Sequence, residues 1–238
     1  MAGLPLAEEV FGREMFIQMG IFAPLAGMLV FGLMLLFFRR VALVLAAMAV
    51  ALLSVIWTMG LLIGTGNTLH IMSSMIPIFL MPIAILDSIH VLSEFFDRYP
   101  HHLDRRETLR VVYGELFRPL AYTSLTTAVA FASLAIAPIP PVRVFGLFIA
   151  FGVGVAFLAT IVFIPAFIMT MSESRLAAAL EDRPESKGRL LTGGLRSLGR
   201  FSVRRRVPVM IGFGLLALAA IPAIAAIEVN DNPVNWFK

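Results

Sequence analysis

The chain has no cysteine, so disulfides, thiolate metal sites and a cysteine nucleophile are excluded. It is also poor in charge. Asp, Glu, Lys and Arg make up 14% of its 238 residues, against about 25% in an ordinary soluble domain. No Gly-rich loop ends in Lys-Ser or Lys-Thr and no Gly-x-Ser-x-Gly elbow occurs, so ATP-driven and serine-hydrolase chemistry both lack their sequence signatures. His101 and His102 are adjacent, beside Asp104; neighbouring residues do not share a helix face, so they make a poor metal site. These absences point away from an enzyme and imply no cofactor. Nor do residues Met1 to Glu14 read as a secretory signal, because Glu8, Glu9, Arg13 and Glu14 fall where a basic lead and an apolar core are required.

What the chain has in quantity is apolar sequence: 59% of residues are hydrophobic and the mean hydropathy is +0.91. A membrane-spanning helix needs about 20 predominantly apolar residues. Six stretches are long enough: Met15–Phe38, Val41–Ile63, Ile71–Ser93, Pro119–Val142, Val144–Met171 and Val207–Ile227. The expected fold is therefore all-α, a polytopic membrane helix bundle. The sequence pI of about 10.1 would suit a nucleic-acid binder, but the basic residues lie between the apolar runs, as membrane topology requires. The connections Arg39–Arg40, Glu94–Arg118 and Ser172–Arg206 hold 2, 5 and 9 of the 19 Lys and Arg residues. The positive-inside rule makes those connections cytoplasmic and puts both termini outside an inner (plasma) membrane.

The connections have their own signals. Gly64–His70 and Pro138–Pro141 carry turn chemistry. Asp104 and Glu107 fit a capping box opening a helix that bears Leu109, Val112 and Leu116. Leu191, Leu195, Leu198 and Phe201 recur at helical spacing among Arg196, Arg200 and Arg204–Arg206, which fits either a helix lying on an anionic leaflet or a plain basic loop. A first helix entering from outside, and a polar Glu228–Lys238 end, read as a piece of a longer protein. Its parts are an extracytoplasmic lead-in (1–14), a five-helix unit (15–171), a basic cytoplasmic connection (172–206), one further helix (207–227) and the start of an outer domain (228–238).

Asp87 is the only formally charged side chain in the six stretches. An acid at the centre of a span costs about 2.5–3.5 kcal/mol on insertion scales, so such acids are usually paired, face the bundle interior and are functional. His90, three residues on, shares its helix face, and Glu94 falls near that face two turns along. The three form a file of titratable groups of the kind a proton relay uses, with a structural acid as the bland alternative. Pro119–Val142 adds Tyr122, Thr123, Ser124, Thr126 and Thr127. Ser124 and Thr127 share a face and are candidates to bond a carboxylate on a neighbouring helix; back-bonding to their own helix is the competing fate. Gly146, Ala150 and Gly154 form a small-xxx-small row for close helix approach.

The segments ILDSIHVLSEFF, FRPLAYTSLTTAVAFASLAIAPIPPVRVFGLFIAFGV and the closing IPAF resemble the RND superfamily of exporters, in particular its MMPL-like branch with the sterol-sensing-domain type of five-helix unit. The resemblance covers nearly the whole chain and implies that it spans helices two to seven of a twelve-helix core. It further implies proton-driven export of hydrophobic or lipid-like molecules, with Asp87 as the coupling residue and His90 beside it. Ser88, Glu94, Ser124, Thr126 and Thr127 would be supporting polar groups, protons the coupling ion, and membrane lipids and the missing second half the partners. Two positions depart from the family pattern: Ser88 stands where some lipid exporters carry tyrosine, and Ala130 where glycine is common. The alternative is a sterol-sensing-type module that binds lipid without transporting it.

Overall fold

The computed structural model describes residues 4–38, 41–102, 104–172, 176 and 188–225. The described residues are helical throughout apart from short turns. They divide between two compact units, Met1–Glu181 and Asp182–Lys238.

In the first unit the helices are α1 (Leu4–Phe38), α2 (Val41–Gly64), α3 (Ile71–Ser74), α4 (Ile76–His102), α5 (Arg105–Ala132), a 3₁₀ turn (Ser133–Ile136) and α6 (Pro140–Thr170). Three boundaries follow the sequence signals. Asp104 caps α5, its side chain accepting from the Arg106 amide at 3.1 Å. Pro140 and Pro141 sit in the first turn of α6, where a missing N–H costs nothing. Gly66 takes the one positive φ among the described glycines, +76°, in the turn after α2.

Other boundaries differ from expectation. The charged residues before Met15 belong to α1, which begins at Leu4, and the apolar part of that helix is only Gly20–Leu36. The third stretch is broken at Met75, between α3 and α4. Pro77 explains the break, since it has no N–H to bond Ser73 and would clash with that carbonyl. The connecting helix after Asp104 and the fourth span form one rod through Pro119. By length and apolarity four helices can cross a membrane: Val41–Gly64, Met72–Pro100, Arg105–Ile136 and Pro140–Thr170. A fifth is added when the bent pair Arg196–Arg204 and Arg206–Pro222 is counted as one span, so among the described residues the second to sixth expected spans are present and the first is represented by the shorter apolar stretch Gly20–Leu36.

The unit is built on α6, which packs against α2, α4 and α5. Its buried stripe runs Phe145, Gly146, Ile149, Gly152, Val153, Ala156, Ala159, Thr160, Ile164 and Ile168. Small residues dominate the facing stripe of α2, with Ala46, Ala47, Ala51 and Ser54, so the backbones approach closely, as helices in lipid must do to gain contact. Two glycines set the closest approaches. A Cβ on Gly152 would stand 2.6 Å from both Leu80 Cδ2 and Thr58 Oγ1, and one on Gly146 would stand 2.5 Å from Leu134 Cβ. Gly154 has open space around it, so the expected row holds at Gly146, and Gly152 is the second close contact.

The second unit contains α7 (Gly188–Arg204) and α8 (Arg206–Ala225). Arg196–Arg204 and Arg206–Pro222 meet at 91°. α8 is the sixth expected span; Ile227 and the polar Glu228–Lys238 end lie outside the described residues.

Candidate functional site

Helix geometry turns Asp87 inward on α4, on the face that carries Leu80, Ala84 and Val91 into the core. The carboxylate is 5% exposed. α5 packs along this face and brings one hydroxyl to it: Ser124 Oγ donates to Asp87 Oδ2 at 2.8 Å. The acid therefore sits at a helix seam with the Ser124 hydroxyl as its side-chain donor. A hydroxyl serves such an acid in either state, because it can donate to a carboxylate and accept from a carboxylic acid.

The other expected residues separate into different roles. Ser88 is fully buried and bonds Thr160 Oγ1 on α6 at 3.0 Å, with a longer 3.3 Å bond back to the Ala84 carbonyl. His90 is on the exposed side of α4, so the structure does not bring it into the buried seam. Glu94 accepts from Arg98 Nε at 2.5 Å, and Arg98 also reaches across to α5, bonding both Glu115 oxygens, with Nη1–Oε1 at 2.9 Å. This bidentate fork ties the ends of α4 and α5 together, and Glu94 is engaged in it. Thr126 donates to the Tyr122 and Thr123 carbonyls and Thr127 to Thr123, so back-bonding prevails at both threonines and the cross-helix reading holds at Ser124 alone.

Thr160 has no place in the sequence reading. Besides holding Ser88, its backbone carbonyl accepts from Tyr113 Oη at 2.9 Å, so α4, α5 and α6 meet at this residue. A signal existed: Thr160 lies four residues after Ala156 and four before Ile164, on the small and apolar stripe that faces inward. Ser73 is fully buried on α3, with no hydrogen-bond partner for its Oγ among the described residues.

The two kinds of hydroxyl on α5 give a contrast that can be measured. Ser124→Ala leaves a buried carboxylate without its donor, which costs about 1–3 kcal/mol. Thr126→Ala removes only an exposed back-bond and is expected to be near neutral. Unfolding in mixed micelles should separate the two variants; equal effects would contradict the assigned Ser124–Asp87 bond.

A second feature lies on the outer surface of this unit. Leu53 and Trp57 of α2 and Leu158, Val162, Phe163 and Ala166 of α6 line an open groove of about 450 Å³ that is almost entirely apolar. Its volume is in the usual range for small-molecule sites, and its walls offer nothing to a polar ligand.

Comparison with known proteins finds one matching family, described as the sterol-sensing domain of SREBP cleavage-activation, over residues 36–183. A protein of Streptomyces coelicolor, named only as a membrane protein, is 31% identical over 147 residues, which is 61% of this chain. The aligned region spans 19% of the length of that relative.

Proposed function

The chain belongs to the sterol-sensing domain family, and from that premise we propose that it is a membrane segment of a proton-driven exporter of hydrophobic or lipid-like molecules, with Asp87 as the residue that carries the proton. The observation that supports this most is the carboxylate itself. It is 5% exposed, at the seam between α4 and α5, and bonded to a hydroxyl. A purely lipid-binding bundle has no need of an acid there, and keeping one in a span is expensive. Rocking of helices against one another would open the seam to one side and then the other, so that the carboxyl collects a proton and releases it across the barrier. α5 is suited to meeting further helices. It exposes Tyr122, Leu125 and Val129, and its outward threonines are satisfied by their own backbone. His90, exposed one turn from Asp87, is in this reading the group that passes the proton on from the seam.

The test uses the intact protein in proteoliposomes loaded with a fluorescent lipid-like substrate. Efflux should rise with an imposed pH gradient and collapse when a protonophore removes it. Efflux that ignores the gradient would rule out proton drive.

The family and the groove favour one second reading, a lipid-binding module. The two readings meet in a single prediction. The chain has two tryptophans, so in this 238-residue chain Trp236→Phe leaves Trp57 as the tryptophan donor, and Trp57 lines the groove. Dehydroergosterol in the bilayer is expected to accept energy from Trp57, and Val162→Trp in the Trp57→Phe, Trp236→Phe background should report the same transfer from the opposite wall. Transfer no greater than that to randomly distributed sterol would dismiss the groove as a binding site.

A further inference from the structure

The second unit carries a feature that the transport reading does not use. At 100° per residue, Arg196, Arg200 and Arg204 fall within an arc of about 80° on α7, while Leu198 and Phe201 occupy a separate arc centred about 130° away. Leu198 and Phe201 are 66% and 58% exposed. None of the three arginines is in an ion pair among the described residues. The helix is thus two-faced, and neither face has a partner among the described residues of its own unit.

The bend supplies the second, independent observation. α7 turns into α8 at 91°, and α8 is apolar on every side, with Met210, Phe213, Leu216 and Leu218 all exposed. A helix of that composition requires hydrocarbon around it. When α8 stands along the membrane normal, a right angle puts α7 in the plane of the surface, with the corner at headgroup depth. At that corner lies a hollow of about 890 Å³ lined by Arg200, Arg204 and Arg205 together with Phe201, Val203 and Pro208. Three guanidinium groups beside apolar carbons match the top of a phospholipid: the phosphate bonds to planar donor forks, and the glycerol and upper acyl carbons lie on Phe201 and Pro208. Free inorganic phosphate would leave that apolar wall uncovered. A zwitterionic headgroup would bring its own cation to a site that already holds three.

We propose that the α7–α8 corner is a binding site for an anionic phospholipid of the leaflet on the basic side, which holds α7 flat against the membrane. The intact protein in neutral detergent would be titrated into a fluorescent short-chain phosphatidylglycerol and followed by anisotropy, with phosphatidylcholine of the same chain length as the control lipid. Phosphatidylglycerol should bind at least about fivefold more tightly, an advantage that shrinks as salt rises. Arg200→Gln with Arg204→Gln should remove the preference, and Arg200→Lys with Arg204→Lys should keep most of it. Equal affinity for the two lipids, an unchanged preference in the glutamine variant, or displacement of the lipid by millimolar inorganic phosphate would each overturn the assignment. The salt dependence of the unsubstituted protein decides the matter if the glutamine variant cannot be recovered: a preference indifferent to salt also overturns it.

Discussion

Asp87→Asn in the intact protein is expected to cut proton-driven efflux at least about tenfold, equivalent to about 1.4 kcal/mol of barrier, while the amount of protein in the membrane stays the same. The substitution is nearly isosteric, and the Ser124 hydroxyl that donates to Asp87 Oδ2 can donate equally well to an amide oxygen. Packing at the α4–α5 seam is therefore preserved and only the titratable proton is lost. Asp87→Glu keeps the proton but adds a methylene in a seam where Ala84 and Val91 are fully buried; it should retain part of the activity. Efflux that survives Asp87→Asn undiminished would leave Asp87 as a structural acid and favour the lipid-binding reading.

Gly146→Val is expected to have the largest effect on stability. A Cβ at Gly146 would overlap the Phe131 carbonyl oxygen and stand 2.5 Å from Leu134 Cβ. Phe131 is in the last turn of α5 and Leu134 in the 3₁₀ turn that follows, so backbone, not a flexible side-chain tip, has to move. Overpacking of this kind costs about 1–3 kcal/mol and occasionally more, and the second valine methyl adds to it. Gly154→Val is the control, since a Cβ there meets nothing within 4 Å, and helix propensity slightly favours the change. Unfolding midpoints of the two variants should differ widely; a Gly146 variant as stable as the Gly154 variant would show that α6 does not approach the end of α5 as closely as described.

The architecture was largely legible in the amino-acid order, and for physical reasons. Long apolar runs admit only helices in a membrane, because every backbone group must be bonded within its own segment. Asp104 marked a helix start that the structure has, since capping is local, and the Pro138–Pro141 turn is there with its last two prolines opening α6. Asp87 stood out because a charge in a span is rare and costly. What remained hidden depends on which helices are neighbours. Ser124, Thr126 and Thr127 have the same chemistry, and only the placement of α4 against α5 selects Ser124 for the carboxylate. The same is true of Gly152 against Gly154, which differ by half a helix turn and are separated only by the position of Leu80 and Thr58. Arg98 was counted as one more basic residue of a connection, whereas its fork to Glu115 depends on α5 running back beside α4. Polarity changes at Met15, yet α1 runs through that point from Leu4, because a helix continues through charged residues once its apolar part is anchored.

Proton coupling requires Asp87 to exchange a proton with water during turnover. Infrared difference spectroscopy of the intact protein in lipid nanodiscs, taken across a pH jump in H₂O and in D₂O, measures that exchange directly. A protonated carboxyl C=O band should appear on acidification, shift in D₂O, and be missing from Asp87→Asn. A spectrum that is the same with and without Asp87 would mean the acid never changes state, and the coupling proposal would be wrong.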